Sequence, residues 1–253
     1  MKVIKLILVM AILALLPAIT WAVPGDGLAG TDHDFVAGPF STSAPGLCTF
    51  CHTPHKANST ALLWNHTLSS ATFTWGDATS TTGGTAYPAI LGGTYKGPTA
   101  KCLSCHDGSV AVGDVYWYDE AARHGGSALD TNMITDDTHR VGFGASMTGN
   151  HPVAMPYPFA GTSSTYNAKT TGSGVEITEF RADPRNINLT AIRLFKESSG
   201  DVVAGAASGN AGIECSSCHD PHNKQAKDAM FLRAKLTGGT AVSGYICLQC
   251  HIK

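Results

Sequence analysis

The chain has 253 residues, a formal net charge of −2, 14% charged residues and 43% hydrophobic residues. Such a weak and balanced charge excludes the strongly basic surface that nucleic-acid binding requires, and it gives no reason to expect recruitment to an anionic membrane. Beyond an apolar N-terminus the chain is rich in Gly, Ala, Ser and Thr, which are poor material for a large side-chain core.

The N-terminus has the pattern of a secretory signal peptide. A basic start, Met1-Lys-Val-Ile-Lys5, is followed by an apolar run from Leu6 to about Ile19 and then by a short cleavage region. An uncleaved membrane anchor is the alternative, but the run is shorter than the roughly 20 residues that span a bilayer. We therefore predict a signal peptide over 1–22, cleavage after Ala22, and a mature chain without a membrane span. The destination is the extracellular space or cell surface, with the periplasm as the alternative.

All eight cysteines belong to four copies of the motif C-x-x-C-H. The copies are Cys48-Thr-Phe-Cys51-His52, Cys102-Leu-Ser-Cys105-His106, Cys215-Ser-Ser-Cys218-His219 and Cys247-Leu-Gln-Cys250-His251. This spacing is the attachment signature of c-type haem, in which both thiols bond the porphyrin and the His ligates the iron. Zinc bound by four thiolates and paired disulfides are the alternatives, but neither requires a His directly after the second Cys. The motifs predict four covalently bound haem c groups.

Four porphyrins change the expectation for the core. Each brings a large apolar surface that the chain can wrap, so haem takes the place of Leu and Ile, and we expect the apo-chain to be largely unfolded. The predicted fold class is mostly coil and turns, with short helices and few short strands, organised by haem.

The spacing of the motifs divides the chain after the signal peptide into three parts. We predict an N-terminal dihaem unit with a ligand arm at 23–120, a haem-poor loop or β insertion at 121–210, and a C-terminal dihaem unit at 211–253. The Gly- and Pro-rich segment from Val23 to Leu47 is predicted to be a loop-like arm. Composition predicts short strands at 110–118, 175–181 and 189–195, and a helix from Lys224 to Lys235.

Seven histidines remain once the proximal ligands His52, His106, His219 and His251 are set aside. Each iron needs a sixth ligand or keeps an open face, and a Met ligand would raise its reduction potential. The mature chain has Met133, Met147, Met155 and Met230, but imidazole is in surplus. We therefore predict bis-His ligation at all four irons. A saturated iron cannot bind substrate, so we predict electron transfer and no catalytic residues.

Five of the seven are candidate distal ligands, one more than four irons need: His33, His55, His66, His151 and His222. His55 and His222 each follow a proximal His by three residues, and the Pro between restricts the backbone. Each should therefore point away from its own iron and toward another haem. The alternative for every candidate is a polar loop histidine. His124 and His139 lie in charged, Gly-rich surroundings and are predicted to be solvent-exposed.

Several phrases carry a resemblance to a known family. They are His33-Asp-Phe, C-x-x-C-H-Thr-Pro-His55, Leu-Trp-Asn-His66, Cys102-Leu-Ser-Cys-His-Asp-Gly, Asn-His151-Pro-Val and C-x-x-C-H-Asp-Pro-His222. The chain resembles the multihaem c-type cytochromes with doubled C-x-x-C-H motifs. Within that family it is similar to the tetrahaem cytochromes that polymerise into extracellular nanowires, the OmcE type. The resemblance runs from His33 to His251 and is weak across 160–210.

The resemblance implies bis-His haems throughout, mostly loop and turn structure, and a haem chain that continues from subunit to subunit. In filament-forming relatives, the His that follows C-x-x-C-H-x-x can be donated to a haem of the neighbouring copy. Here that residue would be His55, which would reach a haem of the C-terminal pair in the next subunit. The local alternative is that His55 serves the second haem of its own chain, on Cys102 and Cys105. The implied partners are further copies of the chain, joined head to tail, and other redox proteins or extracellular electron acceptors.

Three functions fit these observations. The favoured one is a secreted tetrahaem cytochrome that carries electrons to extracellular acceptors as a filament. The second is a monomeric periplasmic shuttle with the same chemistry. The third is a multihaem reductase with one open iron that acts on a small oxyanion, although no motif here has Lys in place of the His.

Overall fold

The computed structural model describes residues 23–37, 46–54, 57, 61–75, 95, 97–115, 133–157, 179–186, 192–199, 201–206, 211–238, 240 and 243–252. The predicted signal peptide, the candidate ligand His55 and His124 lie outside these ranges. Turns and bends dominate the described residues, and the regular elements are short. None of the helices in these ranges is long and apolar enough to cross a membrane.

Three α-helices each hold the two cysteines of one motif. Helix α1 covers Pro98–His106, α2 covers Cys215–Cys218 and α3 covers Cys247–Cys250. Pro98 suits the start of α1, because its fixed φ is helical and its missing N–H would be unpaired there in any case. Single 3-10 turns occur at Ala61–Leu63, Phe143–Ala145 and Pro184–Asn186.

A small antiparallel sheet leads directly into the third motif. Its strands are β1 (Met155–Pro156), β2 (Phe195–Ser198), β3 (Asp201–Ala204) and β4 (Gly212–Ile213), in the order β1-β4-β2-β3. Strands β2 and β3 form a hairpin in which Phe195 lies opposite Ala204. Since β4 ends one residue before Glu214, which caps α2, the sheet fixes where α2 begins.

Buried apolar side chains form small separate clusters rather than one large core. One cluster contains Phe50, Val112 and Val115, with Phe35 and Ile134 packed against it. The other two centre on the sheet, and their buried members are Ala154, Phe195 and Val202 in one and Tyr157, Leu194 and Ala211 in the other. Small clusters are what a chain rich in small residues can build from its own side chains.

The predicted helix from Lys224 to Lys235 is wrong. The Asp220 carboxylate accepts hydrogen bonds from the backbone N–H groups of Lys224, at 2.8 Å, and Gln225, at 2.5 Å, and so holds this segment in turns. Met230 and Phe231 then adopt left-handed backbone, both with φ of 57°, which a right-handed helix cannot contain. The segment is rich in residues that favour helix, but the hydrogen bonds from its backbone to the Asp220 side chain stabilise turns instead.

Of the three predicted strands, only the one at 189–195 overlaps a strand of the described structure. Residues 110–115 form bends and turns, with a single bridge between Val115 and His66, and 116–118 lie outside the described residues. Phe180 bridges His251, whereas 175–178 lie outside the described part of the chain. The strand expected at 189–195 begins only at Phe195 and ends at Ser198, and 189–191 are outside the described ranges.

Candidate haem sites

Each C-x-x-C-H motif closes one helical turn. The backbone N–H of His52 donates to the carbonyl of Cys48 at 2.8 Å, and His219 and His251 make the same bond to the first Cys of their motifs at 3.0 Å. Residues three apart on a helical turn lie on the same side, so both thiols of a motif can reach one edge of a porphyrin. The His at the end of the turn is then placed beside them.

The rings of His52, His106 and His219 are each oriented by a backbone carbonyl. The Nδ1 atoms of His52 and His106 lie 2.6 Å from the carbonyl oxygens of Leu62 and His139. The Nδ1 of His219 lies 2.7 Å from the carbonyl of Met230. A carbonyl only accepts, so Nδ1 carries the proton and Nε2 keeps its lone pair. Among the described residues no group hydrogen-bonds to Nε2 of these three rings, which leaves each Nε2 available to a metal.

Three proximal histidines face a second histidine from elsewhere in the chain. The ring centres of His106 and His33 are 6.1 Å apart, and those of His52 and His222 are 6.0 Å apart. The third pair is His251 and His151, with centres 6.5 Å apart. In the sequence the members of these pairs are separated by 73, 170 and 100 positions, so the pairs are products of the fold.

These separations fit an iron held between two imidazoles. With about 2.0–2.1 Å from a transition metal to an imidazole nitrogen and about 1.1 Å from that nitrogen to the ring centre, two rings on one iron have centres roughly 6.2 Å apart. The angles between the ring planes are 54°, 19° and 77°. Such variation is compatible with a shared iron, because each ring can rotate about its own metal–nitrogen bond.

The charge state of two of these rings also suits ligation. Burial, with a smaller effect of the neighbouring His106, lowers the pKa of His33 to about 4. Burial likewise lowers the pKa of His219 below its ordinary value, and His106 and Arg233 act in the same direction. Both rings are therefore neutral at neutral pH and keep the lone pair that a metal requires.

Asn223 holds the N-terminal arm in the place that brings His33 to His106. Its side-chain Oδ1 accepts from the backbone N–H of Gly25 at 3.1 Å, and its Nδ2 donates to the carbonyls of Val23 and Gly27 at 3.0 and 2.9 Å. The amide thus satisfies three backbone groups of an arm that has no regular structure of its own. Asn223 itself has left-handed backbone, with φ of 52°, which Asn tolerates better than most residues.

Replacing Asn223 with glycine is expected to release the arm and open one iron. Glycine keeps the left-handed backbone without strain and removes only the amide, so the loop after the third motif should persist. We expect the reduced variant to bind carbon monoxide at one haem per chain, as seen in a difference spectrum. Asn223→Asp, which keeps the acceptor and loses the donors, should show a partial effect. A glycine variant that binds no carbon monoxide would show that His33 is held by other contacts.

The loops after the first and third motifs share one design that the sequence analysis missed. In both, a returning loop supplies two residues with left-handed backbone and a third that forms an antiparallel bridge to the proximal His. These residues are Leu62, Leu63 and Trp64 after the first motif and Met230, Phe231 and Leu232 after the third. The following residue, Asn65 or Arg233, donates from its side chain to the carbonyl directly after the first Cys of the motif. The sequence signal is the match of Ala61-Leu-Leu-Trp-Asn65 with Ala229-Met-Phe-Leu-Arg233.

His66 and His139 take other positions. The His66 ring is buried, with Nδ1 2.8 Å from the carbonyl of Thr67 and Nε2 2.9 Å from that of Ala111. Both nitrogens therefore face backbone acceptors, although Nε2 also lies 3.4 Å from the Cys105 sulfur. The side chain of His139 is 42% exposed and its Nδ1 lies 2.8 Å from Asp136, while its carbonyl serves His106.

The state of the thiols bears on the zinc and disulfide alternatives. All eight cysteines are free. Burial raises the pKa of Cys51, Cys105 and Cys250 to about 12 and that of Cys218 to about 11, whereas the interaction with Cys102 lowers the pKa of Cys215. Among the described residues, no three His, Cys, Asp or Glu side chains converge as a metal cage would. A porphyrin supplies four nitrogens itself, so its iron needs only two imidazoles from the chain.

Buried polar atoms without a partner lie at the edges of the motifs. The Trp64 indole N–H is buried and has no hydrogen-bond partner among the described residues, and the Trp64 ring centre is 6.0 Å from that of His52. The Ser216 hydroxyl, inside the third motif, is also buried without a hydrogen-bond partner in the described structure. Since unpaired buried polar groups are costly, they fit positions that a polar edge of a cofactor would complete. The residues present therefore fit a haem at each motif.

The motifs follow one another in space in the order of the sequence. Cys51 and Cys105 are close enough for their charges to interact, and Cys102 shares a hydrogen bond with Cys215. Cys250, in turn, is close to Cys218. Four cofactors attached at these thiols would thus form a continuous series from the first motif to the fourth. No known protein family and no curated protein matches this chain.

Proposed function

We propose that the chain is an exported tetrahaem c-type cytochrome that carries electrons along a series of bis-His haems to extracellular acceptors, assembled head to tail as a filament. When bound, each haem supplies a one-electron iron couple whose potential depends on its axial ligands and on hydrogen bonding around it. The favoured ligand pairs are His52 with His222, His106 with His33, and His251 with His151. At the third iron the proximal ligand is His219, and its partner is one of the two remaining candidates.

The observation that carries the proposal is the set of three imidazole pairs with ring centres 6.0 to 6.5 Å apart, each with one member from a C-x-x-C-H motif. Paired imidazoles would hold an iron from both sides and leave no place there for substrate. Carbonyl acceptors at Nδ1 of His52, His106 and His219 orient the rings and increase their basicity. Such a site favours electron transfer over catalysis at the metal.

The remaining candidate ligands are His55 and His66 for the third iron. Both nitrogens of His66 face backbone carbonyls, so His66 is the weaker candidate. His55 occupies in the first motif the place that His222 occupies in the third, and His222 lies across from the proximal ligand of the other motif. We therefore assign His55 to the third iron, either of its own chain or, as the resemblance implies, of the neighbouring copy.

The monomeric periplasmic shuttle remains the second candidate function. The observation that favours it is that His52, His106 and His251 each face a second histidine of the same chain. A monomer could therefore hold at least three saturated irons without a neighbour. Electron microscopy of the purified holoprotein separates the two, because only the first function requires filaments.

Two measurements on the exported holoprotein test the proposal. Intact mass spectrometry under denaturing conditions should give the chain from Val23 plus four haems, since thioether bonds survive denaturation. The reduced protein should change its spectrum little on exposure to carbon monoxide, because a strong-field His would have to leave. A mass with two zinc ions, or with disulfides and no haem, would exclude the proposal. Full carbon monoxide binding at one haem would instead favour the reductase.

A further inference from the structure

The helices of the second and third motifs are joined by a buried carboxylate. Glu214, directly before Cys215, is 0% exposed. Its Oε2 accepts hydrogen bonds from the Thr99 hydroxyl at 2.5 Å, from the Thr99 backbone N–H at 3.1 Å and from the Tyr95 hydroxyl. The Thr99 hydroxyl oxygen also accepts from the backbone N–H of Cys215 at 3.1 Å. Thr99 lies in the first turn of α1, so these bonds link the start of α1 to the start of α2.

The joint lies at the point where the two dihaem units meet. The sulfur atoms of Cys102 and Cys215 lie close together, so an attachment point of the second haem would be adjacent to one of the third. Along the sequence these motifs are separated by the long cysteine-free stretch, 107–214, so local sequence cannot fix their spacing. Electrons that pass from the second haem to the third within one chain would therefore cross close to this joint.

A buried carboxylate is a costly way to hold two helices together. Burial raises the pKa of Glu214 to about 7, and its second oxygen, Oε1, has no hydrogen-bond partner among the described residues. Apolar contact would hold the helices with less penalty, but it is not directional. Three bonds to one oxygen, together with the bond between the N–H of Glu214 and the Ser217 hydroxyl at 2.9 Å, fix the position of α2 relative to α1.

We propose that Glu214, acting through Thr99, is a positioning residue that sets the spacing of the second and third haems and thereby the rate of electron transfer between the two dihaem units. This inference rests on the proposed function. The rate of electron tunnelling falls exponentially with the gap between donor and acceptor. Small movements of α2 against α1 would therefore change this one step, while ligation of each iron, which depends on other residues, would persist.

Glu214→Ala, Glu214→Gln and Thr99→Val test this assignment in the holoprotein. Glutamine keeps a carbonyl acceptor for Thr99, whereas valine keeps the shape of Thr99 and removes its hydroxyl. After photoreduction of one haem, we expect internal electron equilibration to slow by about tenfold or more in the alanine variant, less in the valine variant, and little in the glutamine variant. The Soret circular dichroism, which reports the relative orientation of neighbouring haems, should change in the same order.

The control is Asp137→Ala, which removes a surface carboxylate that is 90% exposed and forms an ion pair with Arg140. It should leave both signals as in the parent protein. Four haems, unchanged equilibration and an unchanged Soret signal in the alanine variant would overturn the inference. If that variant fails to incorporate haem, Thr99→Val decides in the same way. A parent protein without four haems would refute the proposed function itself, so the two failures are distinguishable.

Discussion

Replacing His222 with alanine is expected to leave one haem in four with an open iron face. The ring centre of His222 lies 6.0 Å from that of His52, and its side chain is 60% exposed, so truncation removes the ligand without emptying a core. The reduced variant should bind carbon monoxide at one haem per chain, while the other three keep the spectrum of saturated irons. Titration with carbon monoxide against total haem content measures the stoichiometry.

Two other histidine variants serve as controls, because they test whether loss of any histidine opens an iron. His139→Ala removes an exposed ring that contacts Asp136, and it should bind no carbon monoxide because only its backbone carbonyl serves His106. His66→Gln removes a buried ring that faces the carbonyls of Thr67 and Ala111, and it too should leave four saturated irons. Carbon monoxide binding by His66→Gln, together with none by His222→Ala, would reverse the ligand assignment.

The helical turn of each C-x-x-C-H motif could be predicted from the sequence because its geometry is local. Five consecutive residues close one turn and present two thiols and an imidazole, so spacing alone contains the chemistry. The effect of Pro54 and Pro221 is also local. Because each proline fixes its own φ, the sequence predicts that the His after it points away from the iron of its own motif. For His222 the structure gives a ring that faces His52 of another motif, 170 positions away.

The pairing of ligands could not be predicted, because it depends on contacts between distant segments. His33 reaches His106 only because Asn223, close to the third motif, binds the arm at Val23, Gly25 and Gly27. Nothing in the sequence around Asn223 distinguishes it from an ordinary loop residue. For His66 the sequence predicted a ligand, because Leu-Trp-Asn-His66 resembles a segment of the multihaem cytochromes. In the structure both nitrogens of the His66 ring lie beside backbone carbonyls instead.

The helix prediction at 224–235 was wrong for the same reason, namely contacts that local sequence does not reveal. The segment contains good helix formers, but Asp220 binds the backbone N–H groups of Lys224 and Gln225, and the carbonyl of Met230 is required by His219. A loop that must return to the proximal His cannot continue as a helix. The left-handed backbone of Met230 and Phe231 brings the carbonyl of Met230 to the His219 ring. Leu62 and Leu63 do the same after the first motif, where the carbonyl of Leu62 lies beside the His52 ring.

His55→Ala is expected to abolish filaments and to leave one iron per subunit with a free face. Among the described residues, three of the candidate proximal ligands face a second histidine of the same chain, and His219 is the one that does not. The option that His55 serves the second haem is disfavoured, because His106 is faced by His33. If His55 reaches the third iron of the next copy, each contact is head-to-tail and does not close, which generates an open fibre. Negative-stain microscopy and carbon monoxide titration of the same sample measure both effects.

His222→Ala is the matched control, because His222 stands at the equivalent position of the third motif and its partner His52 belongs to the same chain. Both variants should open one iron, but only His55→Ala should lose the filament. Filaments that assemble normally from His55→Ala while one iron binds carbon monoxide would place the ligand within its own chain. Normal filaments with four saturated irons would remove His55 from the ligands altogether. Because a ligand donated between copies is both an assembly contact and a redox contact, only loss of both signals in one variant supports donation between copies.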